Sequence, residues 1–298
     1  MGDLKVILIG LIVLFAIVDD SEAAISVKAF RRITRINKHG PHLGLVVPNS
    51  FEMSPLLQSS LFVEDERFPQ LDFEGRRFRI GRLGKEKVIV VMTGLSMRFG
   101  DGPNDELALE SSGDYTRKIG YLNVSDYTTM MKVENGVSFN SSNYLNSVWY
   151  QPEEIFPVEG TPEVRQHAFW VPVDSHYFAL SKKLEGMSLE GCVNATTCLP
   201  RRPKVVQVES GCSANVFVDN ASYRQFLRSK FGVTPIDMET AAVALVCLQQ
   251  GTPFIALRSL SDLAGGGSAQ SNEANIYGPL AAQNAVDAVV HFVQLLSH

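Results

Sequence analysis

The chain has 298 residues, 45% hydrophobic and 20% charged, with a formal net charge of −5. That is enough apolar material for the core of one domain or two small ones. A mildly acidic balance excludes a nucleic-acid surface, which needs a clustered basic face. The basic groups at Arg31, Arg32, Arg35 and Lys38, and at Arg201, Arg202 and Lys204, lack interleaved aromatics and read as solvated surface.

Taken in chain order, residues 1–24 read as a signal peptide. Val6–Val18 is an unbroken apolar run after Lys5, followed by small residues around Ala23 and Ala24 that suit cleavage. About 13 apolar residues form a leader core but fall short of the roughly 20 that span a bilayer. The expected route is secretory, ending outside the cell or in a vacuole, with no stable membrane anchoring. Sequons at Asn123, Asn140, Asn194 and Asn220 agree with that route. So do Cys192 and Cys198, which bracket a polar loop suited to a disulfide in an oxidising compartment. Cys212 and Cys247 sit in apolar runs and read as free, buried thiols. Without paired Cys-x-x-Cys or clustered His, no metal site is expected.

Residues 42–49 read as a strand, and 76–94 as a hairpin turning at Gly84 and Lys85, with Arg79–Gly84 and Glu86 on the edge side. Lys204–Gly211 and Pro253–Arg258 read as further buried strands. The spacing predicts an amphipathic helix before Gly232 with Phe226, Leu227 and Phe231 inward. A second helix runs from Glu239 to Gln250, and a long one closes the chain. Strands alternating with helices imply an α/β fold with a mainly parallel sheet, whose ligands bind beyond the carboxyl ends of the strands. Glu239 opens one helix and Asp262 follows one strand. Asp262 serves as a helix cap or turn residue, or as part of a site. A Walker loop is excluded at Gly265–Gly267, since no Lys-Ser/Thr follows.

The pairing of DMETAAVA (237–244) with RSLSDLAGG (258–266) resembles the nucleoside phosphorylase and methylthioadenosine/adenosylhomocysteine nucleosidase family. HLGLVVPNSFEMSPLL, VVMTGLSM and FWVPVD resemble its plant branch of bark and vegetative storage proteins. The resemblance covers nearly all of residues 25–298. It implies a single three-layer α/β domain with a central mixed, mainly parallel sheet. It also implies that Glu239 binds ribose hydroxyls with Met238 against the sugar, and that Asp262, steadied by Ser261, protonates N7 of a purine. Phe217 is implied to stack on the base, and Glu52 to order the nucleophile. The partner is then a small-molecule purine nucleoside. No metal or organic cofactor is implied, phosphate stays open as a co-substrate, and a homo-oligomer is compatible.

The chemistry suits those residue types. Breaking a purine N-glycosidic bond leaves positive charge on the ribose and negative charge on the base. An acid at N7 neutralises the leaving group, worth about 10² to 10⁴-fold. A carboxylate on the ribose hydroxyls favours the cationic transition state.

The resemblance breaks between Met97 and Arg98. There the family carries a helix, a central strand and a Gly-rich loop, and such a unit needs roughly 30 residues or more. Three readings follow: an enzyme cleaving purine nucleosides, impaired here; an inactive storage protein of the same fold; or a nucleoside-binding module.

Overall fold

A computed structural model describes residues 26–73, 75–94, 152–161, 166–215, 217–265 and 273–297. The leader, the Met97–Arg98 junction, Asn123, Asn140, Gly266 and Gly267 lie outside the described residues.

Helix α1 (Val27–Asn37) starts at Ser26, whose Oγ accepts a hydrogen bond from the Ala29 amide at 3.1 Å. After it come β1 (Leu43–Val47), α2 (Ser50–Gln58), β2 (Phe62–Glu64), β3 (Gln70–Phe73), β4 (Arg76–Leu83) and β5 (Glu86–Met92). The strands form one mixed sheet. β1 runs parallel to β5, with Leu43 opposite Val88. β5 and β4 form an antiparallel hairpin, with Ile80 opposite Ile89.

The other edge of β4 is shared end to end by β3, against Arg76–Arg79, and by β2, against Gly81–Leu83. Arg79–Leu83 therefore lies in an interior strand, with Gly84 in the turn that follows, which corrects the edge placement expected above. The reason is the returning 62–73 segment, which breaks into two short strands that together cover β4. Gly81 is required there: a Cβ would stand 2.4 Å from the Val63 carbonyl and 3.1 Å from the Phe62 ring.

Side chains alternate across this sheet as the pleat demands. Val88 and Val90 face Leu56, Phe62, Leu83, Val286 and Val293 on one side. Ile80, Phe78 and Ile89 face Ile36, Leu71 and Ile33 on the other. The sheet is thus sandwiched between α1 and a layer made of α2 and the last helix, α6 (Glu273–Leu296). Among the described residues no helix is long and apolar enough to cross a membrane.

The rest of the described chain comprises β6 (Glu153–Ile155), β7 (Gln166–Ala168), α3 (Ser175–Ser181), β8 (Cys212–Ser213), α4 (Ala221–Phe231), β9 (Ile236–Asp237) and α5 (Thr240–Gln249). α4 ends as expected at Gly232, in the left-handed conformation with φ +70°. Leu227 is buried, while Phe226 and Phe231 are half-buried and meet edge to face at 6.0 Å.

The sheet is mixed, but parallel pairing among the described residues is confined to β1–β5 and β8–β9; the other pairs are antiparallel. Strands joined by a tight turn, like β4 and β5, can pair only antiparallel. The two expected strands at 204–211 and 253–258 join no ladder. Val206 is 62% exposed and Leu260 58%. An apolar run reports a preference for burial; becoming a strand also needs a neighbour.

Asn284 ties the C-terminal half to α6. It is 5% exposed and makes a two-way clamp: it accepts from the Glu190 amide at 2.9 Å and donates to the Glu190 carbonyl at 2.9 Å. Removing one partner of such bonds strands the other without solvent. Asn284→Ala should cost about 2 kcal/mol in urea unfolding, whereas Gln283→Ala, on the exposed side of the same helix, should change stability by less than about 0.5 kcal/mol.

Candidate active site

The site grows from the short parallel pair β8–β9. Pairing of Ser213 with Asp237 puts both side chains at the start of α5. Asp237 Oδ1 accepts from the amides of Glu239 at 3.2 Å and Thr240 at 3.1 Å. Its Oδ2 accepts from the Thr240 hydroxyl. Ser213 Oγ donates to Asp237 and accepts from the Ala241 amide at 2.8 Å. These bonds satisfy the free N–H groups of the helix's first turn.

Glu239, in the N-cap position itself, makes no side-chain cap bond. Its carboxylate is left for other work. It is 8% exposed and meets Arg258 Nη2 at 3.1 Å. The same guanidinium reaches Asp237 Oδ2 from Nε at 3.2 Å. A buried carboxylate is costly unless so compensated, and one cation here serves two.

Glu52 is the third acid. It stands in the first turn of α2, behind Asn49, whose Oδ1 accepts from the Phe51 amide at 2.7 Å. Glu52 Oε2 is buried and has no hydrogen-bond partner among the described residues. Burial raises its pKa above the usual carboxylate value; Arg258 draws it down and Glu239 pushes it up. Those two influences place Glu52 in the electrostatic field of the Arg258–Glu239 pair. Cys212, beside Asp237, has its thiol pushed up to about 11 by burial and by that carboxylate. Among the described residues no group of three His, Cys, Asp or Glu side chains is gathered to hold a metal ion.

Asp262 lies on the segment that carries Arg258. Its Oδ2 accepts from the Ser261 hydroxyl at 2.8 Å, and both residues are half-buried. The segment is docked onto α4. Arg224 Nη1 donates to the carbonyls of Leu263 and Ala264, both at 2.9 Å. Gly265, at φ +73°, packs on the start of α4, where a Cβ would stand 2.3 Å from the Ala221 nitrogen. Phe217, just ahead of α4, is 58% exposed, and Met238 is half-buried.

The structure therefore gathers Glu239, Asp237 and Arg258, joins Ser261 to Asp262, and leaves the Phe217 ring largely in solvent. Sequence reasoning missed Arg258, Asp237 and Ser213. A lone arginine closing the apolar run PFIAL, on the segment that carries Ser261 and Asp262, was the available signal for Arg258. Cys192 and Cys198 are joined by a disulfide, with Cα atoms 3.9 Å apart. Cys212 and Cys247 are free but half-buried, a correction to the buried state expected. Each belongs to an apolar run that only part of the surrounding structure covers.

The family model of the phosphorylase superfamily matches residues 114–294, more than half of the chain. The chain belongs to the phosphorylase superfamily. Bark storage protein A of Populus deltoides is 28% identical over 284 residues, covering 84% of this chain and 88% of that protein. Bark storage protein B of the same species is 27% identical over 282 residues, with the same coverage of 84% and 88%. Over 87 residues, 29% of this chain and 37% of the relative, identity rises to 37% with the 5'-methylthioadenosine/S-adenosylhomocysteine nucleosidase of Psychromonas ingrahamii. A solved Helicobacter pylori nucleosidase of that name overlays with a TM-score of 0.47 at 18% identity, covering 84% of this chain and 97% of its own.

Two outcomes test the superfamily chain's acidic cluster. Arg258→Met leaves Glu239 and Asp237 buried without their cation and should cost about 3 kcal/mol in denaturant unfolding. Glu52→Gln should act in the opposite direction. A carboxyl with a raised folded-state pKa gives stability that is complete below its unfolded pKa and is lost as pH rises through the folded value. At neutral pH the glutamine variant should therefore be more stable, by less than about 1 kcal/mol because part of the side chain faces solvent. Its stability profile through mild acid should also lack the wild-type decline.

Proposed function

We propose that the Glu52–Glu239–Arg258 cluster is the ribose and nucleophile end of a purine nucleoside site, with Asp262 at the base end. The observation that carries this is Glu52 Oε2, a buried carboxyl oxygen without a partner among the described residues and within electrostatic reach of the paired Arg258 and Glu239. Such an oxygen is positioned to take a hydrogen bond from a bound water. Glu239 accepts from the ribose hydroxyls, and Arg258 holds Glu239 ionised and in place. Water oriented by Glu52 adds to the anomeric carbon as the C–N bond breaks, Glu52 takes the proton, and Asp262 delivers one to N7. Arg258 is already paired with Glu239 and Asp237, and this carboxylate-rich end disfavours a phosphate dianion, so water is the preferred nucleophile. The leader, the sequons and the disulfide support a secretory destination, outside the cell or in a vacuole.

A second reading, storage of nitrogen without turnover, is favoured by a different observation. Among the described residues the 204–211 and 253–258 runs pair with no strand, so the segment bearing Arg258 and Asp262 is not part of a described sheet. Two relatives matched over most of the chain are bark storage proteins. The alignment to bark storage protein A spans 284 positions yet covers 84% of this chain, fewer residues than that, which supports a gap on this side.

The deciding assay is release of free base from adenosine, inosine and methylthioadenosine, with and without phosphate. The chain as it stands should run at least about 10³-fold below a chain that carries a nucleosidase helix–strand–loop segment between Met97 and Arg98. Asp262→Ala in the extended chain should abolish release. Equal rates for the two chains would refute the impairment. An inactive extended chain would leave storage as the function.

A further inference from the structure

The Cys192–Cys198 loop holds a second chemical feature, independent of the nucleoside site. Its two ends pair as an antiparallel bridge, with Val193 N donating to Thr197 O at 2.8 Å and Leu199 N to Gly191 O at 2.8 Å. The disulfide closes it covalently. At its tip, Asn194 is exposed, and its Oδ1 accepts three bonds: from Thr196 N at 3.0 Å, Thr196 Oγ1 at 3.0 Å and Thr197 N at 2.8 Å. All of the local bonding falls on the amide oxygen. The amide nitrogen Nδ2 has no partner among the described residues, so its N–H bonds stay open to a transferase.

The other described sequon is built differently. Asn220 Oδ1 accepts from the Tyr223 amide at 2.8 Å and caps α4. Asn220 is half-buried, and its backbone touches Gly265, where an added Cβ would meet Asn220 Cα at 2.6 Å. A large substituent at Asn220 would crowd the docked Asp262 segment, whereas one at Asn194 meets only solvent.

We propose that Asn194 is an N-linked glycosylation site and that Asn220, though it has the same sequon pattern, stays unmodified. The donor class is a lipid-pyrophosphate-linked oligosaccharide. Nδ2 attacks the anomeric carbon and forms a C–N bond, and the anomeric C–O bond breaks. The lipid pyrophosphate leaves, and one amide proton passes to a base of the transferase. The inference rests on the proposed secretory route and not on any nucleoside chemistry, and the bridge joining Cys192 and Cys198 suits the same oxidising compartment.

The test is translation of the full chain with endoplasmic-reticulum microsomes, scoring only protease-protected chains in which the Cys192–Cys198 bridge has formed. Peptide N-glycosidase in ¹⁸O-water then marks each occupied asparagine as labelled aspartate. Asn194 should be labelled in most molecules and Asn220 in few. Asn194→Gln and Thr196→Ala should each remove one glycan on gels, while Thr196→Ser should restore it. Asn220→Gln should leave the mobility unchanged. An unlabelled Asn194 in bridged chains, or Asn220 labelled as fully as Asn194, would overturn the proposal. Base release by the extended chain is unaffected by either result, so this failure is separable from failure of the nucleoside reading.

Discussion

Everything at the candidate site depends on one guanidinium held between two nearly buried carboxylates. Arg258 bonds Asp237 and Glu239 at once, with those side chains 8% and 9% exposed. Burying two negative charges side by side is prohibitive without a cation between them. The contact also links the start of α5 to the segment that carries Ser261 and Asp262. It is therefore the joint between the helix start that carries Glu239 and the segment that carries Asp262.

Around that joint the protein divides its labour. Asp237 and Ser213 cap α5, Arg224 fastens the 262–265 segment to α4, and Glu52 stands opposite on α2 with one oxygen left over. The well-formed sandwich of α1, the five-stranded sheet and the α2–α6 layer supplies Glu52. The more open C-terminal half supplies the rest. Weakness in that half, with Val206 and Leu260 in solvent and two apolar runs without ladders, falls on the elements that aim Asp262.

Much of this was legible in the residues. The β4–β5 hairpin, the Gly232 stop of α4, the α5 boundaries and the closing helix all follow from periodicity and turn residues acting locally. The strands expected at 204–211 and 253–258 failed for a reason no local pattern contains: pairing is a property of two segments, and Val205 and Val206 look the same with or without a neighbour. The cap by Ser213 was hidden likewise, because it reaches α5 only through β8–β9 pairing. Glu239 and Glu52 were singled out by resemblance, while Arg258, which pairs with Glu239, looked like an ordinary charged residue at the end of an apolar run.

The separation of capping from charge at the start of α5 has an evolutionary corollary. Since Asp237 and Ser213 hold the helix and Arg258 keeps Asp237 as a counter-ion, Glu239 is not needed to fold α5. A lineage released from selection for turnover could neutralise that one residue and still inherit an intact helix. Loss of catalysis would then leave almost no trace in the architecture. A fold of this kind can pass from enzyme to nitrogen reserve by drift at a handful of side chains, its scaffold serving both livelihoods unchanged.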